Sequence, residues 1–396
     1  MPFHSLTEQP ADPLLGLIGA FRADARPGKI DLGVGVFRDA DGKTPVMAAV
    51  KAAERRLVET QPSKSYLGPE GDERFVHLLG ERVFADAVPA ERRTGLQTPG
   101  GTGALRLGAE LLVLAGVQRI WIGQPSWANH APVFAQAGLT PVMHAMFDLD
   151  AQRVDVAAMR GALNDAQEGD AILLHGCCHN PLGIDPDAED WAAITSIVAE
   201  RRLLPFVDLA YQGLGDGWVA DAAGTRALLS RVPFGLLAYS CDKNFGLYRE
   251  RVGALWALAE APPAVAPLSS NLLALARANW SMPPDHGAAV VRLILEDAAL
   301  TAMWEAELDA MRVRIASIRK ALADLGQVGG VDLARLREGR GMFATLPLER
   351  ARIGWLRAER AIYMAGSGRI NLAGFTGDAV ARFGAALAES GEQVAA

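Results

Sequence analysis

A lysine with two cations close behind it is the first feature of the sequence that could do chemistry. Lys243 follows a short apolar run, and Arg249 and Arg251 come within eight residues of it. A partly desolvated lysine near other cations loses its proton more readily, and the free amine can attack a carbonyl to form a Schiff base. Taken alone, the segment is better explained as a solvated lysine after a strand.

A phosphate site and a strand-end carboxylate strengthen the chemical interpretation. Gly100 to Gly103 open an apolar helical pattern, and the N–H groups of a helix N-terminus can bind a phosphate together with the Thr102 hydroxyl. Asp208 ends another apolar run, where its carboxylate could hold a protonated ring nitrogen. Lysine, phosphate cradle and aspartate together predict pyridoxal phosphate as the cofactor, in preference to a nucleotide.

Other short motifs for nucleotides and metals fail at required positions. Gly101 and Gly103 are followed by Arg106 where the dinucleotide fingerprint needs its third glycine, and Gly42-Lys-Thr lacks the first glycine of a P-loop. The two histidines and two cysteines of residues 175–179 are too closely spaced at a strand end to converge on one tetrahedral zinc ion. We therefore expect no NAD, ATP or metal site.

Composition and charge exclude further classes of protein. The 396 residues are 50% hydrophobic and 21% charged, which is typical of a globular protein with a large core. The formal net charge of -7, without a dense basic run, argues against nucleic-acid binding. No signal peptide or membrane-spanning stretch is recognisable. Three cysteines, two of them adjacent, cannot form a disulfide framework, so we expect a cytoplasmic protein.

The elements that must position these residues follow an α/β pattern. Helix-length segments alternate with short apolar runs, which we predict to be strands of a buried, mostly parallel sheet. The runs are Arg119–Gly123, Ala171–Gly176, Leu204–Leu209, Leu236–Ser240 and Val252–Leu258. Ligands bind beyond the carboxyl ends of such strands, which is where Asp208, Tyr211, Ser240 and Lys243 lie. A long amphipathic helix from Trp304 to a glycine stop at Gly326 could bridge two domains.

Nine motifs run in one order from about residue 10 to the C-terminus: LGVGVF, SYLGPEG, TPGGTGALR, QPSWANH, HGCCHNPLG, DLAYQG, SCDKNFGLYRERVG, RANWSMPPDHG and SGRINLAG. In these motifs the sequence resembles the class I aminotransferases, specifically the aspartate and aromatic amino acid aminotransferase branch. The resemblance implies a fold-type I transferase dependent on pyridoxal phosphate. Its large domain, residues 44–309, has a mostly parallel seven-stranded sheet between helices. A small α+β domain comprises residues 11–43 and 310–396, and residues 1–10 form an N-terminal arm.

The resemblance also assigns the residues that contact the cofactor ring. Lys243 carries the cofactor as a Schiff base and moves the proton between the substrate Cα and the cofactor. Asp208 pairs with the ring nitrogen, and His130 supports Asp208 from behind. Tyr211 and Asn180 hydrogen-bond the phenolate oxygen. Trp127 stacks on the ring, and the phosphate is held by Gly101, Thr102, Ser240, Arg251 and, from a second subunit, Tyr66. An obligate homodimer with shared active sites follows.

Substrate recognition is implied in the same way. Arg369 binds the α-carboxylate with its planar fork, assisted by Asn180 and the backbone N–H of Gly35, while Trp127 lines the same pocket. Arg277 reaches from the partner subunit to the distal carboxylate of a dicarboxylic substrate. We expect transamination in two half-reactions, with 2-oxoglutarate and glutamate as one pair and aspartate, tyrosine or phenylalanine supplying the other.

Two departures from the family pattern and three alternatives stay open. Leu182 stands where the family usually has threonine, and Asp242 replaces a small serine-like residue, although a strand-like backbone would point it away from Lys243. The enzyme could be a strict aspartate aminotransferase. A fold-type I lyase or decarboxylase has less need of Arg277. A noncatalytic effector-sensing module has no need of the retained lysine.

Overall fold

The computed structural model describes residues 2–8 and 13–394. Residues 1, 9–12, 395 and 396, which include parts of the predicted N-terminal arm and the ends of the predicted small domain, lie outside the described residues. The chain divides into two compact units. The large unit comprises Thr44–Ala316 and Glu338–Gly341, and the small unit comprises Met1–Lys43, Ser317–Arg337 and Met342–Ala396.

The elements follow one another along the chain in this way. The strands are β1 (Ile30–Asp31), β2 (Arg93–Pro99), β3 (Arg119–Gln124), β4 (Thr140–Ala145), β5 (Phe147–Asp148), β6 (Arg153–Val154), β7 (Ala171–His175), β8 (Leu204–Leu209), β9 (Gly235–Ser240), β10 (Val252–Leu258), β11 (Gln327–Val328), β12 (Val331–Asp332), β13 (Phe343–Thr345), β14 (Ile362–Tyr363) and β15 (Arg369–Asn371). The helices are α1 (Pro13–Ala23), α2 (Ala48–Thr60), α3 (Glu73–Phe84), α4 (Gly100–Leu114), α5 (His130–Ala137), α6 (Val156–Ala162), α7 (Ala188–Glu200), α8 (Ala223–Leu229), α9 (Val265–Asn279), α10 (Asp285–Glu296), α11 (Ala298–Ala323), α12 (Arg350–Arg360) and α13 (Ala379–Val394). Short 3₁₀ turns lie at Pro2–Ser5, Ala90–Arg92, Leu163–Asp165, Ala220–Ala222, Pro262–Ala264, Ala334–Glu338 and Leu372–Gly374.

The large unit is built on a seven-stranded sheet in the order β2-β10-β9-β8-β7-β3-β4. Strands β3, β4, β7, β8 and β9 pair in parallel, while β10 is antiparallel to both of its neighbours. All five strands expected from apolar runs are present, which confirms the α/β class and the mostly parallel sheet. Helix α4 packs on β9 and β10, and Gly108 lets it approach closely, because a Cβ there would lie 2.4 Å from Cζ of Phe206.

Helix α11 contains the predicted apolar periodicity but begins earlier, at Ala298. Its start is stabilised by the Asp297 carboxylate, which accepts hydrogen bonds from the backbone N–H groups of residues 299 and 300. The apolar positions expected to face a core are buried: Trp304, Leu308, Met311, Ile315, Ile318 and Leu322. The helix ends at Ala323, and Gly326 follows with a positive φ of 66°. Residues up to Ala316 belong to the large unit, and the last turns belong to the small unit.

The small unit combines short strand pairs with helices, as expected for an α+β domain. Strand β1 pairs in parallel with β14, and β13 pairs antiparallel with β15. Helix α1 packs on this unit through Phe21, whose ring meets the ring of Tyr363 edge-on with centroids 5.3 Å apart. Within the described ranges, no helix is both long enough and apolar enough to cross a membrane.

Candidate active site

The carboxyl edge of the sheet gathers residues from four strands. Asp208 and Ser240 lie at the ends of β8 and β9, and Lys243 follows β9 directly. Because β10 is antiparallel, its first residues pair with the ends of β2 and β9: Val252 with Pro99, and Gly253 with Ser240. Arg251, which precedes β10, therefore lies at the same edge as these groups.

The start of α4 forms an anion cradle at this edge. Gly100 has φ of +73°, a conformation that favours glycine, and a Cβ there would lie 2.5 Å from Nη2 of Arg251. A Cβ on Gly101 would lie 2.9 Å from the Cβ of Ser240. Thr102 lies in the first turn of the helix. The N–H groups of this turn, the Ser240 hydroxyl and the Arg251 guanidinium are the donor set that a phosphate requires.

Lys243 lies in a turn that is fixed by packing. Helix α11 holds the turn through Trp304, whose Nε1 donates to the carbonyl of Asn244 at 2.8 Å. The Lys243 Nζ lies 5.2 Å from the ring centroid of Tyr211, and its side chain is largely buried. Burial lowers the pKa of Lys243, the carboxylates of Asp242 and Asp208 oppose this effect, and the charge of Arg251 adds to it. The pKa therefore lies below that of an ordinary lysine, which favours the neutral, nucleophilic amine.

Asp208 is held as a carboxylate although it is buried. Burial acts to raise its pKa, but the hydrogen bond from His130, together with electrostatic interactions with His130, His175 and Lys243, outweighs burial, so the pKa lies below its usual range. The bond joins Nε2 of His130 to Oδ2 of Asp208 at 2.9 Å. An ionised carboxylate at this place can pair with a cationic ring nitrogen.

The structure extends this pair into a hydrogen-bond chain. The Ser126 hydroxyl lies 2.8 Å from Nδ1 of His130 and 3.1 Å from Nε2 of His175. Burial, helped by the charge of His130 and opposed by that of Asp208, lowers the pKa of His175 to about 3. The sequence marks His175 only by its closeness to the cysteines, as a rejected zinc ligand, and does not single out Ser126. The signal was available, because both residues follow or end a sheet strand, as Asp208 does.

Asn180, Tyr211 and Trp127 lie beside this chain. Nδ2 of Asn180 donates to the Tyr211 hydroxyl at 3.4 Å. The Asn180 turn is shaped by Asp185, whose carboxylate accepts the N–H groups of residues 178 and 179 at 2.6 and 2.8 Å. Trp127 is half-buried and meets the His130 ring edge-on, with centroids 5.1 Å apart. Leu182, the departure from the family pattern in this turn, is buried, and Asn180 still contacts Tyr211.

The expectation that Asp242 points away from Lys243 is wrong. The residues after β9 form a turn, and the alternation of side chains between two faces holds only in an extended strand. Oδ2 of Asp242 lies 3.9 Å from Nζ of Lys243 and accepts a hydrogen bond from Nη1 of Arg251 at 2.7 Å. The acidic departure therefore sits inside the cationic part of the site.

The remaining predicted site residues, those for the substrate and Tyr66 for the phosphate, lie in two places. Gly35 and Arg369 belong to the small unit, where both approach Phe343: the Arg369 guanidinium lies 4.8 Å from the ring centroid, and a Cβ on Gly35 would lie 2.9 Å from the ring. Nη2 of Arg369 donates to the Gly33 carbonyl at 2.8 Å. Tyr66 and Arg277 belong to the large unit, and both side chains are exposed.

The two cysteines next to the Asn180 turn lie in a buried group with Asp221. Among the residues that the structure describes, Cys177, Cys178 and Asp221 place possible ligand atoms within 4.8 Å of one another, and all three are buried. Both carboxylate oxygens of Asp221 already accept backbone N–H groups, those of residues 213, 215 and 216, at 2.7 to 2.9 Å. Burial raises the pKa of the Cys177 thiol well above its usual value, which favours the protonated form.

Comparison with known proteins identifies the family to which the chain belongs. The sheet, with its site at the carboxyl edge, is that of the fold-type I transferases, and residues 27–387 match the family described as "Aminotransferase class I and II". The chain belongs to this family, and within it to the aspartate and aromatic branch. It is an enzyme that catalyses transamination.

Individual relatives cover nearly the whole chain. It is 51% identical over 372 residues to a tyrosine aminotransferase of Rhizobium meliloti (strain 1021), covering 94% of this chain and 96% of the relative. It is 44% identical over 385 residues to an aspartate aminotransferase of Escherichia coli (strain K12), covering 96% and 97%. The structure is similar to an aromatic-amino-acid aminotransferase from Burkholderia pseudomallei covalently bound to pyridoxal phosphate, with a TM-score of 0.94, 37% identity and coverage of 98% and 99%. The lyase and effector-sensing alternatives receive no support from these matches.

Proposed function

We propose that this aminotransferase uses pyridoxal phosphate to exchange amino groups between aspartate or an aromatic L-amino acid and 2-oxoglutarate. The observation that carries the proposal is the meeting of three groups at one sheet edge. They are the largely buried Lys243, the anion cradle closed by Arg251, and the ionised Asp208. An amine, a phosphate site and a carboxylate are the contacts that this cofactor needs.

The residues present fit the cofactor. The first turn of α4, Ser240 and Arg251 would hold the phosphate, and Tyr66 of a second subunit would add a hydroxyl to it. Asp208 would hold a proton at the ring nitrogen. The phenolate oxygen would accept hydrogen bonds from Tyr211 and Asn180, whose polar atoms lie 3.4 Å apart, and Trp127 would cover the ring.

Each chemical role follows from the environment of a side chain. Pyridoxal phosphate supplies an electron-accepting ring, which stabilises the charge left when the substrate Cα loses its proton. Lys243 moves that proton, because its pKa lies below that of an ordinary lysine, which favours the free amine as a base. His130 donates to Asp208 and keeps its carboxylate ionised.

Substrate selection is assigned to two arginines. Arg369 binds the α-carboxylate, assisted by the N–H of Gly35 and by Asn180, because a planar guanidinium matches a carboxylate with two parallel hydrogen bonds. Arg277 binds the distal carboxylate of aspartate, glutamate or 2-oxoglutarate in the partner's site. Its side chain is exposed at the end of α9 and donates to Ser281 at 2.5 Å, so it can turn toward solvent when an aromatic ring occupies the pocket.

A homodimer is part of the proposal, since Tyr66 and Arg277 act across the subunit interface. The support is that both residues are exposed. Tyr66 is 93% exposed, and the apolar Leu67 beside it is 40% exposed. A cytoplasmic location belongs to the same proposal, because all three cysteines are free thiols, which suits a reducing compartment. A strict aspartate aminotransferase is the second candidate, favoured by Arg277, since an aromatic substrate gives this cation no partner.

The test follows the visible absorption of the bound cofactor while aspartate, phenylalanine and tyrosine are added separately. We expect all three amino acids to convert the cofactor, and conversion by aspartate alone would establish the strict enzyme. Lys243→Ala should bind the cofactor noncovalently and slow conversion by about a hundred- to ten-thousandfold. The control Lys51→Ala removes an exposed lysine on α2 and should convert at the parent rate. A Lys243→Ala variant as fast as the parent would refute the mechanism.

A further inference from the structure

Asp242 places a carboxylate inside the cationic site. Its side chain is only 10% exposed, and Oδ2 lies 2.7 Å from Nη1 of Arg251 and 3.9 Å from Nζ of Lys243. The other oxygen, Oδ1, is buried and has no hydrogen-bond partner among the described residues. A buried carboxylate oxygen without a partner is costly, so the ion pair with Arg251 is the main compensation for burying this charge.

The two terminal nitrogens of Arg251 face different groups. Nη1 donates to Asp242, whereas Nη2 lies against Gly100 at the start of α4, 2.5 Å from where a Cβ would be. Asp242 thus holds the guanidinium with one nitrogen toward the helix N-terminus. Its own backbone N–H donates to the Ser240 hydroxyl at 3.3 Å. Asp242 therefore contacts three of the groups assigned to the cofactor.

A phosphate bound in the cradle would share the Arg251 guanidinium with this carboxylate. Two anions on one partly buried cation repel each other, and the repulsion is stronger than in water because the local dielectric constant is lower. The small serine-like residue of the family pattern brings no such charge. Asp242 neutralises Arg251 from within the chain and at the same time opposes a second anion.

We propose that Asp242 is an internal counter-ion of Arg251 that competes with the cofactor's phosphate group and so limits how tightly the enzyme retains its cofactor, an inference that rests on the function proposed above. The charge of Asp242 carries this effect. Removing the charge while keeping the shape of the side chain therefore strengthens phosphate binding. The opposite result is expected if Asp242 serves only to orient Arg251.

The first test uses inorganic phosphate as the probe. The full-length protein, freed of cofactor, is titrated calorimetrically with phosphate as the parent, as Asp242→Asn and as Asp242→Ser. We expect both variants to bind phosphate about tenfold more tightly than the parent. Unchanged or weaker binding in both would overturn the proposal. Two substitutions are made so that one variant still decides the test if the other fails to fold.

A matched control is offered by the pair of Arg119 and Asp170. Its Nη2 and Oδ2 atoms also lie 2.7 Å apart, and the aspartate side chain is 9% exposed, but Arg119 begins β3 and Asp170 precedes β7, at the amino edge of the sheet. Asp170→Asn removes a comparable ion pair and should leave phosphate affinity unchanged. A gain as large as that of Asp242→Asn would show that any lost acidic charge has this effect, which overturns the specific role.

The second test separates this inference from the proposed function. Pyridoxal phosphate and pyridoxal, which lacks the phosphate group, are bound to each protein and followed by absorption. Asp242→Asn should bind pyridoxal phosphate about tenfold more tightly than the parent does. Its affinity for pyridoxal should equal that of the parent. An equal gain for both would mean that Asp242 acts on Lys243, against the proposal. If the parent binds neither compound, the proposed function fails, while the titration with inorganic phosphate still decides the role of Asp242.

Discussion

The hydrogen-bond chain behind Asp208 has a direction set by its two ends. Asp208 is a carboxylate, so Nε2 of His130 must donate to it, and Nδ1 of His130 then accepts from the Ser126 hydroxyl. The Ser126 oxygen in turn accepts from Nε2–H of His175, which is neutral because its pKa is lowered to about 3. The Asp208 carboxylate thus fixes the tautomer of the histidine that supports it, and the single Ser126 proton extends that order to His175.

The lowered pKa of His175 predicts a pH dependence of stability. Its pKa is about 3 in the folded protein and about 6.5 when unfolded, so between these values the unfolded chain binds more protons. The free energy of unfolding therefore falls as the pH drops from about 6.5 toward 3. Between pH 7.5 and pH 5 this histidine alone removes about 2 kcal/mol, and His175→Gln should lose that much less over this interval.

The measurement is urea unfolding of parent and variant at both pH values and one protein concentration. His77→Gln is the control, because His77 is exposed on α3, 3.2 Å from the Glu81 carboxylate, and should keep the pH dependence of the parent. A His175→Gln variant that loses as much stability as the parent would contradict the assigned neutral histidine.

At the scale of elements, the start of α4 couples backbone conformation to anion binding. Gly100 combines a φ of +73° with the close approach of Arg251, so an added methyl group meets both a strained backbone and the guanidinium. We expect Gly100→Ala to lower the free energy of unfolding by about 1–2 kcal/mol. It should also weaken the binding of inorganic phosphate at least about tenfold, because Arg251 must move.

Gly116 provides the comparison that separates these two effects. It has φ of +89° in the loop after α4, and nothing lies within 4 Å of an added Cβ. Gly116→Ala should therefore cost similar stability in urea unfolding and leave phosphate affinity, measured by calorimetry, unchanged. Equal losses of phosphate affinity in the two variants would show that strain alone, without contact to Arg251, controls the cradle.

The elements that could be predicted from sequence are those buried on both sides or strictly periodic. The inner strands β7, β8 and β9 read as apolar runs because both of their faces are covered. Strand β4 was missed because it lies at the sheet edge with several exposed residues, and β2 because it contains glycine and threonine and no apolar run. Secondary structure can be predicted from sequence where burial requires a continuous run or a strict period of apolar residues.

The site was predictable where a residue follows its own strand. Asp208 and Lys243 could be recognised in this way, and the resemblance supplied their roles. Ser126 and His175 also lie at strand ends, but the hydrogen bond between them could not be predicted, since it forms only when β3 and β7 pair side by side in the sheet. The predicted direction of the Asp242 side chain was wrong because the prediction continued the strand pattern past Ser240, where the chain already turns.

At the scale of the whole molecule, exposed apolar and aromatic side chains require an explanation. In the large unit, Tyr66 is 93% exposed, Val58 is 81% exposed and Val46 is 49% exposed. Burying such surface against a second copy is favourable, at roughly 25 cal/mol per Å² of apolar area. Tyr66 also carries a hydroxyl that the proposed phosphate site can use. The proposed subunit interface would account for both properties.

Shared active sites predict complementation between inactive subunits. Arg277→Ala should lose transamination of aspartate because the distal carboxylate has no cation to pair with, and Lys243→Ala should lose it because the base is gone. In a hybrid dimer, the intact Lys243 of one subunit meets the intact Arg277 of the other and restores one of the two sites. Co-expression in equal amounts, with differently tagged chains, should recover about a quarter of the parent activity, since half of the dimers are hybrids.

The pairing of Lys243→Ala with Asp208→Ala tests whether the recovery depends on sharing across the interface. Both residues follow strands of one sheet and act within one subunit, so each site of this hybrid lacks either the lysine or the aspartate. No recovery is expected from this pair, although its dimers assemble in the same proportions as the first. Recovery in both mixtures would indicate that recombination between the two co-expressed genes had regenerated the parent chain. Recovery in neither mixture would mean that each subunit supplies its own Arg277. Only recovery confined to the Arg277 mixture supports a cation that reaches across the interface.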